Sequence, residues 1–277
     1  MKFTKMQGAG NDYVYINGFS EKIEEPGKLA RRISDRHFGI GSDGLVLILP
    51  SRSADFRMRM FNADGSEAEM CGNASRCIGK YVYDKGLTRK TELTLETKAG
   101  IRRLKLFVSG KAVDNIEVDM GEPLLSPAAI PVEMPGECIV DRPLRIAGRE
   151  YRITCVSMGN PHTVVFTKKT GSLDLQAHGR DIETHSCFPE HTNVEFAEVL
   201  SPSLIRMRVW ERGAGETLAC GTGACATLVA AVFNGFSERE AVLRLKGGDL
   251  KIRWDEHSGH VFMTGDAVTV FEGDFYE

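Results

Sequence analysis

Two stretches of the chain, 149 positions apart, repeat one skeleton. The first runs Arg57-Met58-Arg59, then Asn62, Glu67 and Cys71-Gly72; the second runs Arg206-Met207-Arg208, then Glu211, Glu216 and Cys220-Gly221. The same offset relates Gly10-Asn11 to Gly159-Asn160, and with a few gaps it relates Leu93/Leu95 to Leu243/Leu245 and Gly121 to Gly265. A period this long excludes a solenoid or propeller and means two copies of one domain. With 277 residues, 42% of them hydrophobic, the chain can bury two cores. Two related domains facing each other would bring two equivalent thiols to one cleft from opposite sides. Such a pair suits removal of a proton from one face of a carbon and its return on the other.

Alternating apolar and polar residues predict strands at 55–61, 92–96, 100–108, 112–118, 205–210 and 243–254. Helical patterns are fewer, at 28–36, 72–85, 174–178 and 221–234. Gly86 and Gly235 stand where the two main helices should end. The expected fold class is therefore α/β. It has two pseudo-symmetric duplicated domains, each a curved, mostly antiparallel sheet around a central helix. The domain boundary is expected after Gly121-Glu122-Pro123, giving repeats at 1–120 and 121–264, with a last strand in 265–277 returning to the first domain. No low-complexity or long charged block suggests disorder.

A net charge of −3 without a basic stripe speaks against nucleic acid as a partner. No apolar run reaches the roughly 20 residues that span a bilayer, and the first residues lack the apolar core of a secretory signal. Seven cysteines, an odd number, point to a reducing cytoplasm rather than a disulfide scaffold. No two have the Cys-x-x-Cys spacing of a zinc knot, so no metal site is expected. Cys138, Cys155 and Cys187 read as core or surface residues, and Cys77 and Cys225, inside the predicted helices, as buried ones.

Cys71 and Cys220 each follow a strand and a tight polar loop and precede a helix. Unpaired N–H groups and the helix dipole there favour an anion and should lower a thiol's pKa. The same groups can hold a carboxylate, with Gly72-Asn73 and Gly221-Thr222 as donors and the glycines permitting close approach. A carboxylate so held would stabilise negative charge developing on the adjacent carbon. One thiolate would remove the α-proton and the other thiol would deliver one to the opposite face, inverting the centre without a cofactor. A cysteine at a helix start is more often a small buried residue than a base; two at duplicated positions, each followed by Gly, favour function.

Further motifs carry a resemblance. Phe61-Asn62-Ala63-Asp64-Gly65-Ser66 leading to Met70-Cys71-Gly72-Asn73-Ala74-Ser75-Arg76-Cys77 resembles the first catalytic segment of the diaminopimelate epimerases. Trp210-Glu211-Arg212-Gly213-Ala214-Gly215-Glu216-Thr217 leading to Ala219-Cys220-Gly221-Thr222-Gly223 resembles the second. Gly8-Ala9-Gly10-Asn11-Asp12, Gly39-Ile40-Gly41-Ser42-Asp43 and Met158-Gly159-Asn160-Pro161-His162 follow the same family in the expected order. The resemblance implies interconversion of LL- and meso-2,6-diaminopimelate, a step toward lysine and peptidoglycan precursors, without pyridoxal phosphate, in a protein that often forms homodimers. It implies Cys71 and Cys220 as the two bases, and Gly72, Asn73, Gly221 and Thr222 as the carboxylate clamp. Asn11, Asn62, Asn160 and Asn193 are the implied recognition shell, with Arg212 as distal carboxylate anchor. Glu211 is implied to meet the substrate's amino group and to influence one cysteine's pKa, and His162 to tune the other thiol. On the residues alone, Glu211 is equally a partner for Arg212, His162 a loop histidine, and each Asn a turn residue.

Two positions depart from the family. Gly44 stands where many members have Gln, and Ala74-Ser75 replaces the commoner Gly-Ala. Rival readings are a proline or hydroxyproline racemase of the same fold, which generally has Cys-Gly-His in the first segment, and a phenazine-type isomerase, which lacks the cysteine pair. An amino-acid binding module and a cysteine hydrolase complete the alternatives. The hydrolase would need one nucleophile with a His base, an asymmetry that a duplicated pair does not suggest.

Overall fold

A computed structural model describes residues 1–146 and 148–276. It divides into two compact units, Met1–Asp119 with Thr264–Glu277, and Met120–Met263. In the first unit β1 (Lys2–Gly8) and β2 (Asn11–Asn17) form a hairpin, and β18 (Val268–Asp274) lies antiparallel on the other side of β1. Strand β3 (Gly44–Leu49) runs parallel to β2, and parallel neighbours need a crossover. That crossover contains α1 (Pro26–Ser34), which begins on a proline and ends where the Asp35 carboxylate accepts from the N–H groups of His37 and Phe38. β4 (Phe56–Asn62) and the short β5 (Glu67–Ala68) continue antiparallel. After α2 (Gly72–Asp84), β6 (Glu92–Thr97) returns parallel beside β4, followed by β7 (Gly100–Ser109) and β8 (Ala112–Asp119).

The second unit repeats this order. A single 3-10 turn (Pro127–Ala129) and β9 (Arg142–Ile146) precede β10 (Arg149–Ser157) and β11 (Pro161–Phe166). α3 (Leu175–Glu183) crosses to β12 (Asn193–Ser201), parallel to β11. β13 (Leu204–Glu211) and β14 (Gly215–Thr217) follow antiparallel, then α4 (Gly221–Phe233), then β15 (Glu240–Arg244) parallel to β13, then β16 (Asp249–Trp254) and β17 (Val261–Asp266), whose last three residues already belong to the first unit. The 149-residue offset holds through both helix pairs. It also holds in strand register: Tyr13 pairs with Gly44 as His162 pairs with Asn193, and Met60 pairs with Ala68 as Val209 pairs with Thr217.

Helices α2 and α4 are buried nearly all round, which marks them as core rather than amphipathic surface helices. Each ends at a glycine in the left-handed region, Gly86 at φ +73° and Gly235 at φ +69°. Around α1 the first core gathers Val14, Ile16, Ile33, Leu45 and Phe61; around α3 the second gathers Ile153, Ile182, Phe188, Val194 and Phe196. No helix among the described residues is long and apolar enough to cross a membrane.

Two expectations need correction. The predicted strand 243–254 is a hairpin, because Gly247-Gly248 lets the chain reverse and Leu245 N–H donates to Gly248 O at 3.1 Å. The predicted helix 174–178 runs on to Glu183, through Gly179. That glycine does not break the helix; a Cβ there would lie 2.5 Å from Trp210 Cγ, so it lets the helix approach the indole.

Candidate active site

Each cysteine of the repeated skeleton is the N-cap of its unit's central helix, in extended backbone at φ −142° for Cys71 and φ −128° for Cys220. The sulfur takes the place a Ser or Asp oxygen usually fills. Ala74 N–H donates to Cys71 Sγ at 3.5 Å and Gly223 N–H to Cys220 Sγ at 3.4 Å. The N–H groups of Gly72, Asn73, Gly221 and Thr222 precede these and have no acceptor within their own helices.

In the first unit Cys71 Sγ donates to Asn11 Oδ1 at 3.4 Å, and Asn73 Nδ2 donates to the same oxygen at 3.4 Å. The Asn11 amide is oriented by Asp43, whose Oδ2 accepts from Asn11 Nδ2 at 2.9 Å and from Asp12 N–H at 3.0 Å. Burial pushes the Asp43 carboxyl up. Burial opposes ionisation of Asp12 as well, but the Arg36 guanidinium at 2.8 Å and the Lys5 ammonium at 2.6 Å outweigh it and hold that carboxyl low. Arg76, fully buried on α2, donates through Nε to Asp266 O at 3.0 Å and interacts electrostatically with Cys71. Asn62 Nδ2 donates to Ser66 Oγ at 3.0 Å in the turn after β4. Gly44 is there for space: a Cβ would lie 2.0 Å from Phe61 O and 2.8 Å from the Tyr13 ring.

In the second unit Cys220 Sγ lies 3.4 Å from Thr222 Oγ1. The fully buried His162 has Nε2 at 3.0 Å from Asn160 Oδ1 and Nδ1 at 2.7 Å from Oε1 of an equally buried Glu195. Donor atoms of His162, Glu195 and Cys220 all lie within 4.8 Å of one another, a grouping of the kind that can hold a metal ion. Here the His–Glu contact already engages two of the three. Asn193 is a structural clamp as placed, with Nδ2 donating to Pro161 O at 2.8 Å and Oδ1 accepting from Arg212 N–H at 3.0 Å. Arg212 is exposed and donates from Nη1 to Glu190 O at 2.9 Å. Glu211 Oε1 accepts from Thr217 Oγ1. The loop bearing both is pinned by Glu183, at the end of α3, which accepts from Trp210 Nε1 at 2.7 Å and from Gly213 N–H at 2.8 Å.

The expected lowering of the thiol pKa does not hold for Cys220. Burial, then the charges of Glu211 and Glu195, push it well above the ordinary thiol value, outweighing the bonds from Thr222 and from the Gly223 N–H. Asp43, Glu183 and Glu195 are site-supporting residues that the sequence reading passed over. Asp43 ends a quoted motif, but no pattern marks the other two, since each acts on residues distant in the chain.

The fold is shared with solved proteins of low sequence identity. A probable proline racemase from Agrobacterium radiobacter is 16% identical, with a TM-score of 0.74 over 99% of this chain and 92% of that one. A phenazine biosynthesis protein of the PhzF family from Bacillus anthracis is 18% identical, with a TM-score of 0.72 over 100% and 99%. The chain is thus of the two-unit fold that these proteins share. The sequence profile described as diaminopimelate epimerase matches residues 3–125 and 154–270. Diaminopimelate epimerases from Desulfovibrio desulfuricans and Acetivibrio thermocellus are 62% and 58% identical, covering 100% and 99% of this chain and 98% of each relative. The chain belongs to the diaminopimelate epimerase family.

Proposed function

We propose that the chain interconverts LL- and meso-2,6-diaminopimelate by a cofactor-independent transfer between two thiols, as a step toward lysine and peptidoglycan precursors. The observation that carries this reading is the pair of cysteines capping equivalent central helices, each followed by first-turn N–H groups that have no acceptor within their own helix. One thiolate takes the α-proton, so that a C–H bond breaks and an S–H bond forms. The other thiol gives its proton to the opposite face, so that its S–H bond breaks and a new C–H bond forms. The first-turn N–H groups of Gly72, Asn73, Gly221 and Thr222 hold the reacting carboxylate and stabilise charge developing on the α-carbon. Asn11, Asn62, Asn160 and Asn193 read the remaining polar groups, Arg212 anchors the distal carboxylate and Glu211 meets the amino group. His162 and Glu211 tune the thiols, and both lie near Cys220. The two cysteines end each turnover in exchanged protonation states, so their titrations are linked.

In this reading the protein works in the cytoplasm on a small molecule, does not bind nucleic acid, and forms a homodimer. Val270 and Phe271 on β18, about half exposed, suit cover by a second copy. Proton NMR of LL-diaminopimelate in D₂O with the reduced protein tests the chemistry. Loss of the α-proton together with appearance of the meso isomer, with no added cofactor, is the expected result. Absence of exchange under reducing conditions overturns the assignment.

A further inference from the structure

His162 and Glu195 sit on neighbouring parallel strands, β11 and β12, where Val164 pairs with Glu195 and His162 with Asn193. Residues two apart on a strand share a face, so the imidazole and the carboxylate point to the same side. Both side chains are fully buried, and Oε2 of Glu195 has no hydrogen-bond partner among the described residues. A buried carboxylate with a single strong partner is costly to keep. The helix makes room for it: a Cβ on Gly223, in the first turn of α4, would lie 2.6 Å from Glu195 Oε1 and 3.2 Å from its Cδ. Strand register identifies the equivalents in the first unit as Tyr13, Val46 and Ala74, the last two fully buried. The fold therefore closes over this spot with an apolar strand residue and an alanine. At the equivalent place beside Cys220 it is polar, with glycine opposite.

We propose that Glu195 is a positioning residue for the second thiol: it accepts the Nδ1 proton of His162, holds that ring with Nε2 toward Asn160, and sets a carboxylate beside Cys220. The proposal rests on the two-base reading above and adds to it the group through which His162 acts. Cys220 is faced by Glu195 from β12, Glu211 from β13 and His162 from β11, while Glu195 is also within electrostatic reach of Cys155 on β10. With Glu195 anionic, the neighbouring sulfur is biased toward the thiol, the form able to donate a proton. Burial of Cys220 acts in the same direction.

Glu195→Gln keeps the volume and removes the charge. Its expected effect is a fall in kcat of about tenfold or more with KM changed by less than about twofold. The pH at which Cys220 becomes half-reactive toward iodoacetamide, followed on its own peptide by mass spectrometry, should move down by about one pH unit. An unchanged kcat together with an unchanged Cys220 profile overturns the proposal. In the unsubstituted protein, nitrogen-15 NMR of labelled histidine should show His162 protonated at Nδ1; a bare Nδ1 overturns the proposal even if the variant fails to fold. Cys220→Ser separates the two levels. Retained turnover in that variant sinks the two-base reading, whereas lost turnover alongside an unaffected Glu195→Gln sinks only the role of Glu195.

Discussion

The two halves share a backbone register and differ in the charge placed around their capping sulfurs. Beside Cys71 stands the buried guanidinium of Arg76; the equivalent position on α4 is Cys225. Beside Cys220 stand the carboxylates of Glu195 and Glu211. A cation favours a thiolate and carboxylates favour a thiol, so the duplicated scaffold holds two unlike groups. By contrast, one arginine–glutamate pair of the repeated skeleton serves both halves alike. Arg59 pairs with Glu67 at 2.7 Å and Arg208 with Glu216 at 2.8 Å, each clasping a strand to the short strand before its cysteine. Duplication thus preserves this strand clasp, while the groups around the two sulfurs have diverged.

The largest expected effect tests whether both halves are needed. Cys71→Ser and Cys220→Ser should each reduce epimerisation roughly a thousandfold or more, since a hydroxyl is a far weaker base at neutral pH. Near-normal turnover in either one would leave the halves unequal in a way the two-base reading does not allow. Gly223→Ala and Ala74→Gly, exchanging the residues at equivalent positions, should differ. The first drives a methyl group against Glu195 and should lower kcat about tenfold or more. The second should cost about 1 kcal/mol of helix stability with little change in kcat. Equal losses of kcat would break the comparison.

Alkaline stability should treat the halves alike. Burial pushes the Cys77 and Cys155 thiols up to about 12. An acid whose pKa is higher in the folded state loses no stability below its unfolded value, near 9, and loses it progressively as pH rises toward the folded value. Near pH 10.5 each thiol should cost roughly 2 kcal/mol, and Cys155→Ala should flatten the fall in unfolding free energy measured between about pH 8 and 10.5. Arg212→Ala should raise KM for diaminopimelate about tenfold, with exchange of the α-proton at saturation nearly unchanged. An unaltered KM removes Arg212 as the distal anchor. The smallest effects belong to the strand clasps: Glu67→Gln and Glu216→Gln should each cost about 1 kcal/mol or less in urea unfolding. The loss should be greater at Glu216, where Lys246 Nζ also lies 2.6 Å away.

Much of this was legible along the chain because it depends on local periodicity or local hydrogen bonding. The α/β class, the starts of both central helices at Cys-Gly and their ends at Gly86 and Gly235 follow from patterns within a dozen residues, and the duplication from the recurrence of one such pattern 149 positions on. Where local signals misled, a distant contact was responsible. The helix predicted over 174–178 runs on through Gly179 because Trp210, 31 positions on in the sequence, packs against that glycine. Gly44 on β3 is a position at which a Cβ would lie only 2.0 Å from Phe61 O, a contact set by the strand pairing of β3 with β4.

Sequence alone determined that two like domains carry two like cysteines at helix starts, because an internal repeat and a capping position are both written in residue order. Tertiary structure decided what surrounds those sulfurs. Asn11 meets Cys71 across 60 residues, and Glu195 meets His162 across 33. Such partners are set by strand register and by which face of a strand each side chain occupies. Those are properties of paired strands that no single stretch of sequence contains, and they give Cys71 and Cys220, alike in sequence, different charged neighbours.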